Sequence, residues 1–199
     1  MHYDIELVAH KLIRWEKYLN GYRFPEWKEI PNIGLYMEQM IALLTQYLDF
    51  IPVEDPLEKP VTATAIHNYV RLRVMPAPEK RKYYRVHIAY LIMIFTLKQS
   101  VSIQGIQKIL PQNLTEEEVK EHYMEFMAQH QRISRYFTEQ TRDTARDILS
   151  PDCTDESAIE SFVTQMVLTA GFSRLLVEKL LRLKDADKEE ILQMEEEKE

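Results

Sequence analysis

Residues 62–84 read TATAIHNYVRLRVMPAPEKRKYY, and they join a short amphipathic helix to a basic segment that contains two prolines. Ile66, Tyr69 and Val70 recur at helical spacing and predict the buried face of this helix. Thr62 or Thr64 can cap its amino end, because either hydroxyl can accept a backbone N–H of the first turn. The stretch therefore predicts a short, capped helix that is anchored on one face.

The other side of this helix is polar, and the segment after it is basic. His67, Asn68, Arg71 and Arg73 lie outside the apolar stripe, where they are free to contact a ligand. The prolines at positions 76 and 78 cannot continue the helix, and the run from Lys80 to Lys82 has too many like charges to pack. Residues 75–84 therefore predict a loop or short hairpin that projects into solvent as a basic finger.

The rest of the chain has helical periodicity. Its 199 residues are 45% hydrophobic and 29% charged and include only four glycines, which favours a helical core over β-hairpins. Apolar residues recur every three or four positions in residues 5–19, 35–51, 88–95, 103–110, 119–137 and 159–181, and Gly171 is a point where the last helix can break. Asp4, Ser102 and Thr115 can cap three of these helices, and the prolines of residues 52–60 predict a loop. We predict a mostly α-helical fold.

The charge of the chain is unevenly distributed. Residues 62–110 contain eight basic residues and one acidic residue, Glu79, whereas residues 1–61 contain six basic and ten acidic residues. Residues 111–199 contain eleven basic and twenty-one acidic residues, and the net charge of the whole chain is −7. A basic segment without balancing carboxylates attracts a polyanion. The alternative is that it docks on the acidic carboxy-terminal part of the same chain or of a second copy.

If the polyanion is DNA, the two parts of residues 62–84 have different roles. Asn and Arg side chains on an exposed helix can pair with base edges, so we assign His67, Asn68 and Arg71 to bases. The basic residues of the finger and of the start of the next helix are suited to contact phosphates. Arg73 and Thr64 can provide additional phosphate contacts. The predicted nucleic-acid-binding residues are Thr64, His67, Asn68, Arg71, Arg73, Lys80, Arg81, Lys82 and Arg85. Thr64 has the competing role of a helix cap.

Enzymatic chemistry has little support in the sequence. Gly-rich phosphate loops and the motifs of serine hydrolases and zinc proteases do not occur, so we predict no catalytic residues, no cofactor and no enzyme. His122 and His130 lie eight residues apart, a spacing that does not favour a metal site, so we predict no bound metal. Cys153 is the only cysteine, which excludes an internal disulfide and agrees with a cytoplasmic protein.

The remaining predictions concern partners. No apolar run approaches the roughly 18 to 20 residues of a membrane span, so we expect no membrane association. The long carboxy-terminal helices cannot bury their apolar stripes alone, and they must pair with each other, with the first helix or with another subunit. Their aromatic and methionine residues form ordinary core or, alternatively, line a pocket for a small apolar effector. These are Tyr123, Phe126, Met127, Tyr136, Phe137, Phe162 and Met166.

The order of elements in residues 35–110 resembles the MerR-type winged helix. A capped helix ends in a basic turn, and a Lys/Arg finger, a long apolar helix and the Ser-capped segment LKQSVSIQGIQKIL follow it. That resemblance implies a helix-turn-helix that reads a major groove with residues 64–73 and a wing, residues 80–85, that grips the DNA backbone. The stretches LYMEQMIALL, TATAIHNYV and MPAPEKRKYYRVHIAYL are also similar to an uncharacterised bacterial domain-of-unknown-function family, number 1836.

We therefore predict three parts: an N-terminal helix and linker (residues 1–32), a MerR-like winged helix-turn-helix (33–110) and a helical dimerisation or sensing domain with an acidic tail (111–199). The predicted function is a DNA-binding transcriptional regulator. We expect a homodimer, because one helix and one wing contact few bases. The unusual loop of residues 49–61 determines whether the recognition helix is exposed. The alternative is a non-enzymatic helical adaptor whose basic segment binds an acidic protein.

Overall fold

The computed structural model describes residues 2–51 and 60–184. This part of the chain is mostly helical, as predicted, and it contains isolated β-bridges but no extended strand. The predicted loop at 52–60 lies outside the described residues except for Pro60, and so does the acidic tail beyond residue 184. In the described ranges, no helix has both the length and the apolarity of a membrane span.

Seven α-helices and one turn of 3-10 helix, Trp27–Glu29, make up the described structure. The α-helices are α1 (Ile5–Gly21), α2 (Met37–Tyr47), α3 (Ala63–Arg71), α4 (Arg85–Leu97), α5 (Ile103–Ile109), α6 (Glu116–Thr144) and α7 (Ser157–Leu183). All four predicted caps are present: Asp4, Thr62, Ser102 and Thr115 each accept a backbone N–H of their helix. Thr115 and Glu118 form a capping box.

The main core is built around α4, in which every residue from His87 to Phe95 is buried. Helices α2 and α6 pack against it, and α3 contributes Ile66 and Tyr69 to the same core. A helix that is apolar on all sides is stable only at the centre of a domain, and α4 has that position. Of the apolar residues in the predicted stripe of residues 103–110, Ile106 and Leu110 are buried and Ile103 is half-buried, whereas Ile109 is exposed.

A second, smaller core lies between α1, the end of α6 and the start of α7. Only Ala145, Ile148 and Ile159 are fully buried in it, and side chains of α1 such as Val8 and Leu12 pack around them. Thr138 and Ser134 of α6 hold the end of α1, because the Ser134 hydroxyl donates to the Leu19 carbonyl over 3.0 Å. Ile133 and Phe137 belong to the predicted apolar stripe of residues 119–137, but both are exposed.

Helix α7 runs without interruption through Gly171, so the predicted break there is wrong. Its first turns lie against the second core, and its last turn reaches α5, where the Lys108 ammonium donates to the Leu181 carbonyl over 3.0 Å. Gly105 of α5 allows this approach, since a Cβ there would lie 3.2 Å from Leu181 and 2.4 Å from Val101. Much of the apolar surface of α7 between these two ends is exposed.

Candidate nucleic-acid interface

Helix α3 is fixed at both ends by its own sequence. At its start the Thr62 hydroxyl accepts the Ala65 N–H over 3.2 Å, and Thr64 is exposed in the first turn without this capping role. At its end the Val74 N–H donates to the Tyr69 carbonyl and the Arg73 N–H to the Val70 carbonyl, which is the Schellman pattern. That pattern requires a left-handed residue after the helix, and Arg73 adopts it with φ of 54°. Glycine is the usual residue there.

The two faces of α3 are arranged as predicted. Ile66 and Tyr69 are buried and Val70 is half-buried, whereas His67 and Arg71 are exposed. Asn68 is half-buried, and its Oδ1 accepts a hydrogen bond of 2.7 Å from Nη2 of Arg71. Two of the three side chains that we assigned to bases, Asn68 and Arg71, are therefore bonded to each other at the solvent side of the helix.

Two glutamines brace the end of α3 from behind. Gln107 of α5 donates through Nε2 to the Leu72 carbonyl over 2.6 Å. Gln112, which follows α5, donates to the Val74 carbonyl over 3.0 Å. These bonds satisfy carbonyls at the carboxyl end of the helix and hold Arg73 between them. The sequence alone did not indicate this role, because nothing local to either glutamine connects it to α3.

The basic finger is a two-residue hairpin. Glu79 and Lys82 exchange both backbone hydrogen bonds, of 3.1 and 2.9 Å, around Lys80 and Arg81. Both central residues have positive φ, 46° and 65°, as in a type I′ turn. Asn and Gly are preferred at such positions because other residues are strained there. The finger therefore presents two long basic side chains on a backbone that does not favour them.

The base of the hairpin is tied to the rest of the domain by two contacts. Leu35 and Tyr83 exchange backbone hydrogen bonds of 2.8 Å, and Gly34 allows this approach because a Cβ there would lie 2.8 Å from Lys82. The buried imidazole of His87 accepts the Tyr84 N–H at Nδ1 and lies 3.0 Å from the Ala77 carbonyl at Nε2. His87 therefore joins both legs of the hairpin to α4.

The other basic residues of this region differ in their surroundings. The Lys82 ammonium lies 5.5 Å above the ring of Tyr36. Arg85 is half-buried, its Nε donates to the Ile30 carbonyl over 2.8 Å, and its guanidinium lies 5.6 Å from the Trp27 ring. Arg85 thus anchors the linker before α2 to the start of α4, whereas Lys80 and Arg81 are exposed.

A groove connects the polar face of α3 to the finger. It has a volume of about 760 Å³ and lies between the first turn of α2, α3 and the hairpin. His67 and Arg81, two of the predicted site residues, line it together. Tyr36 and Gln39 at the start of α2 also line it, and nothing in the local sequence indicates this, because their proximity to α3 is tertiary. Glu38 adds an acidic side chain at the α2 edge.

The charge of this surface is not balanced within the described residues. None of the six predicted basic residues, Arg71, Arg73, Lys80, Arg81, Lys82 and Arg85, has an ion pair in residues 2–51 or 60–184. The acidic α6 pairs instead with its own basic residues and with α1, as in Arg142–Glu16 at 3.1 Å. In these ranges the six cations therefore form no ion pair with the acidic carboxy-terminal part of the chain.

The other candidate residues lie elsewhere. His130 packs against the rings of Tyr22, Phe24 and Phe50, and burial lowers its pKa. His122 is exposed, and no three His, Cys, Asp or Glu side chains in the described ranges are grouped to hold a metal ion. Cys153 is half-buried in the loop between α6 and α7, with its Sγ 3.9 Å from the Asp155 carbonyl.

Comparison with known proteins relates the chain to one family. No curated protein and no solved structure matches it. The family model described as Domain of unknown function (DUF1836) matches residues 25–129, a range that contains the linker, α2 to α5 and the first part of α6. The matched range therefore includes the whole groove and the finger. Because the matched range covers more than half of the residues of this chain, the chain belongs to the DUF1836 family.

Proposed function

We propose that this protein is a DNA-binding transcriptional regulator of the MerR-like type. In this proposal α2 and α3 act as a helix-turn-helix, α3 enters a major groove, and the hairpin of residues 79–82 is the wing that contacts the flanking backbone. The regulator acts in the cytoplasm and is not an enzyme. Contact with a polyanion is consistent with a basic surface whose six cations form no ion pair with the residues that the structure describes.

The backbone conformation of three basic residues is the observation that carries this proposal. Arg73, Lys80 and Arg81 all have positive φ, and Asn113 is the only other non-glycine residue with positive φ in the described chain. A left-handed conformation costs roughly 1 to 2 kcal/mol for such residues. Strain of this kind concentrates at functional positions. The long basic side chains at these turns therefore have a function that compensates for the conformational cost. Binding to phosphate is such a function.

The candidate residues divide into three groups in this proposal. Asn68 and Arg71 read base edges, and their mutual hydrogen bond pre-orients the guanidinium for a bidentate contact with guanine. Arg73, Lys80, Arg81 and Lys82 contact phosphates together with Thr64 at the exposed start of α3, and His67, which lines the groove, adds to base reading. Arg85 positions the hairpin through Ile30 and Trp27, so we assign it a structural role beside any contact with phosphate.

A homodimer is the second part of the proposal. Leu168, Phe172, Leu175 and Leu176 follow one another at helical spacing on the outer side of α7, and each is between 52% and 69% exposed. Residues 157–171 contain one charged residue, Glu160, whereas residues 172–184 contain four basic residues and one acidic residue. Antiparallel pairing with a second copy covers the apolar stripe and avoids opposing the two basic ends.

DNA binding can be tested by fluorescence anisotropy with random and genomic duplexes over a range of salt concentrations. We expect an affinity that falls steeply with salt, with a slope of about 0.9 per phosphate contact. Replacing Asn68 and Arg71 together by Ala should remove the preference for particular sites and leave random DNA binding nearly unchanged. A double variant that keeps full site preference would contradict base reading by α3.

The adaptor remains the alternative function, and one observation favours it. The groove between α2, α3 and the finger is lined by Tyr36, which is 57% exposed, as well as by His67 and Arg81. An aromatic ring beside cations can hold an acidic peptide as well as a nucleic acid. A folded dimer that binds no DNA at low salt, but binds acidic peptides in this groove, would support the adaptor.

A further inference from the structure

A cleft in the carboxy-terminal part of the chain has the character of a ligand site. It lies between α1, α6 and α7 and has a volume of about 250 Å³. Leu12 and Trp15 line it from α1, Phe137 and Thr141 from α6, and Phe162 and Met166 from α7. Apolar cavities between the helices of a bundle are common sites for small molecules.

One polar atom in this apolar cleft lacks a partner. The Thr141 hydroxyl oxygen is inaccessible to solvent, and it has no hydrogen-bond partner in the described part of the chain. Its neighbours on α6 are satisfied: the Thr138 hydroxyl lies 3.0 Å from Asn20 Oδ1, and the Thr144 hydroxyl donates to the Gln140 carbonyl over 2.9 Å. A buried hydroxyl without a partner is destabilising and uncommon. Thr141 is one of the residues that line the cleft, and a ligand there reaches its hydroxyl oxygen when the side chain rotates about χ1.

The rim of the cleft provides no net charge for an ionic ligand. Arg142 and Glu16 lie at the edge and form an ion pair of 3.1 Å with each other. The other lining side chains are apolar apart from the hydroxyls of Thr138 and Thr141. A charged ligand would lose its hydration without gaining an unpaired counter-ion. The chemistry of the walls therefore favours a neutral, apolar molecule with one hydrogen-bonding group.

We propose that the cleft between α1, α6 and α7 binds a small, neutral, apolar molecule whose single hydrogen-bonding group is received by the Thr141 hydroxyl after that side chain rotates about χ1. Phe162 and Met166 belong to the face of α7 that is directed at α1 and α6, so the site is separate from the outer stripe assigned to a second copy. Binding here does not depend on DNA binding, because the groove and finger contribute no residue to the cleft.

Helix α7 provides a route by which this ligand affects the groove. The helix extends from the cleft to α5, where Lys108 bonds the Leu181 carbonyl, and α5 in turn bonds the end of α3 through Gln107. A ligand that orders the start of α7 therefore affects the position of α5, the helix whose Gln107 braces the end of α3 beside Arg73. This consequence rests on the proposed regulator function, whereas ligand binding itself can be measured without DNA.

The test uses N-phenylnaphthylamine, a neutral fluorophore with one N–H whose emission rises in apolar surroundings, and benzylnaphthalene, in which a CH₂ replaces that N–H. With the full chain we expect saturable, one-to-one binding of the amine. Thr141→Val should weaken its binding by about five- to tenfold and leave the binding of benzylnaphthalene, measured by competition, nearly unchanged. The melting temperature of the unliganded Thr141→Val variant should rise, because an unsatisfied buried hydroxyl is removed.

Two further variants, Ala145→Leu and Met166→Trp, fill the cleft and complete the test. Val167→Trp is the control, because Val167 is the exposed residue next to Met166 on α7. The first two should abolish binding, and the control should retain it. Unsaturable binding, or binding that survives both filling variants in folded protein, would overturn the proposal. So would binding that disappears as protein concentration rises, because a second copy would then fill the cleft. If a filling variant does not fold, an equal effect of Thr141→Val on both probes rejects the site.

Discussion

We predict that the turn of the basic finger lowers the stability of the fold and contributes to DNA binding. One double substitution measures both effects. Lys80 and Arg81 have φ of 46° and 65° in a two-residue hairpin. Asn-Gly is the preferred sequence for this turn. Replacing Lys80 by Asn and Arg81 by Gly should therefore stabilise the fold while removing two cations from the tip of the proposed wing.

The magnitude follows from the conformations involved. Relief of the left-handed strain contributes roughly 1 kcal/mol at each position. The greater freedom of Gly in the unfolded chain offsets about 0.5 to 1 kcal/mol of this. We expect a net gain of about 1 kcal/mol in the free energy of unfolding, which corresponds to an increase in melting temperature of about 2–4 °C for a chain of this size.

Urea unfolding and calorimetry measure the stability, and anisotropy with a random-sequence duplex measures DNA binding. If both side chains contact phosphates, the slope of log affinity against log salt should decrease by about 1.8 per bound chain. The matched control replaces both residues by Gln, which removes the charges and retains the strain. Its stability should equal that of the original chain, and its DNA binding should weaken as much as that of the Asn-Gly variant.

Two results would refute this reasoning. An Asn-Gly variant that is no more stable than the original chain would show that the turn stores no relevant strain. An unchanged salt slope in both variants would show that the tip does not contact phosphate. Loss of binding in the Asn-Gly variant alone would mean that the shape of the hairpin matters and its charge does not.

Four further predictions follow from single residues. Arg73→Gly should raise the free energy of unfolding by about 0.5 to 1 kcal/mol at the left-handed position and weaken DNA binding, as urea titration and anisotropy would measure. His87→Leu should cost about 2 to 3 kcal/mol, because the Tyr84 N–H and the Ala77 carbonyl lose their buried partner. Phe172→Glu should convert the proposed dimer to a monomer in analytical ultracentrifugation. Burial lowers the pKa of His130 from its ordinary value of 6.5, so the unfolded chain binds that proton more tightly and stability should fall as pH drops below about 6.5.

Each of these has its own control. For Arg73, an Arg73→Lys variant retains both the charge and the strain and should change little. For His87, a Gln in its place can partly restore the two hydrogen bonds, so equal losses for Gln and Leu would contradict the bridging role. Ala170→Glu adds the same charge at an exposed position of α7 on the side opposite the apolar stripe of four residues and should leave the dimer intact. His130→Phe keeps the aromatic packing, and an unchanged pH dependence in that variant would exclude His130 as its source.

The helices and their caps were predictable because both depend on residues close in sequence. The hydroxyls of Thr62, Ser102 and Thr115 each reach an N–H three residues away, and the spacing of Ile66 and Tyr69 defines the buried face of α3. The basic finger was predictable for a similar reason, since prolines and like charges exclude a helix locally. Predictions about Ile109, Ile133 and Phe137 failed, because periodicity indicates a face but not what covers it.

The sequence by itself thus determined a mostly helical chain with a basic, hairpin-forming segment, through interactions that span only a few residues. The tertiary structure decided how that segment is presented. The pairing of Leu35 with Tyr83, the bridge through His87 and the contact of Arg85 with Trp27 join residues that are distant in the chain. The exposed stripe of α7 and the unsatisfied hydroxyl in the cleft are tertiary as well, since burial and hydrogen bonding across helices depend on how the whole chain packs.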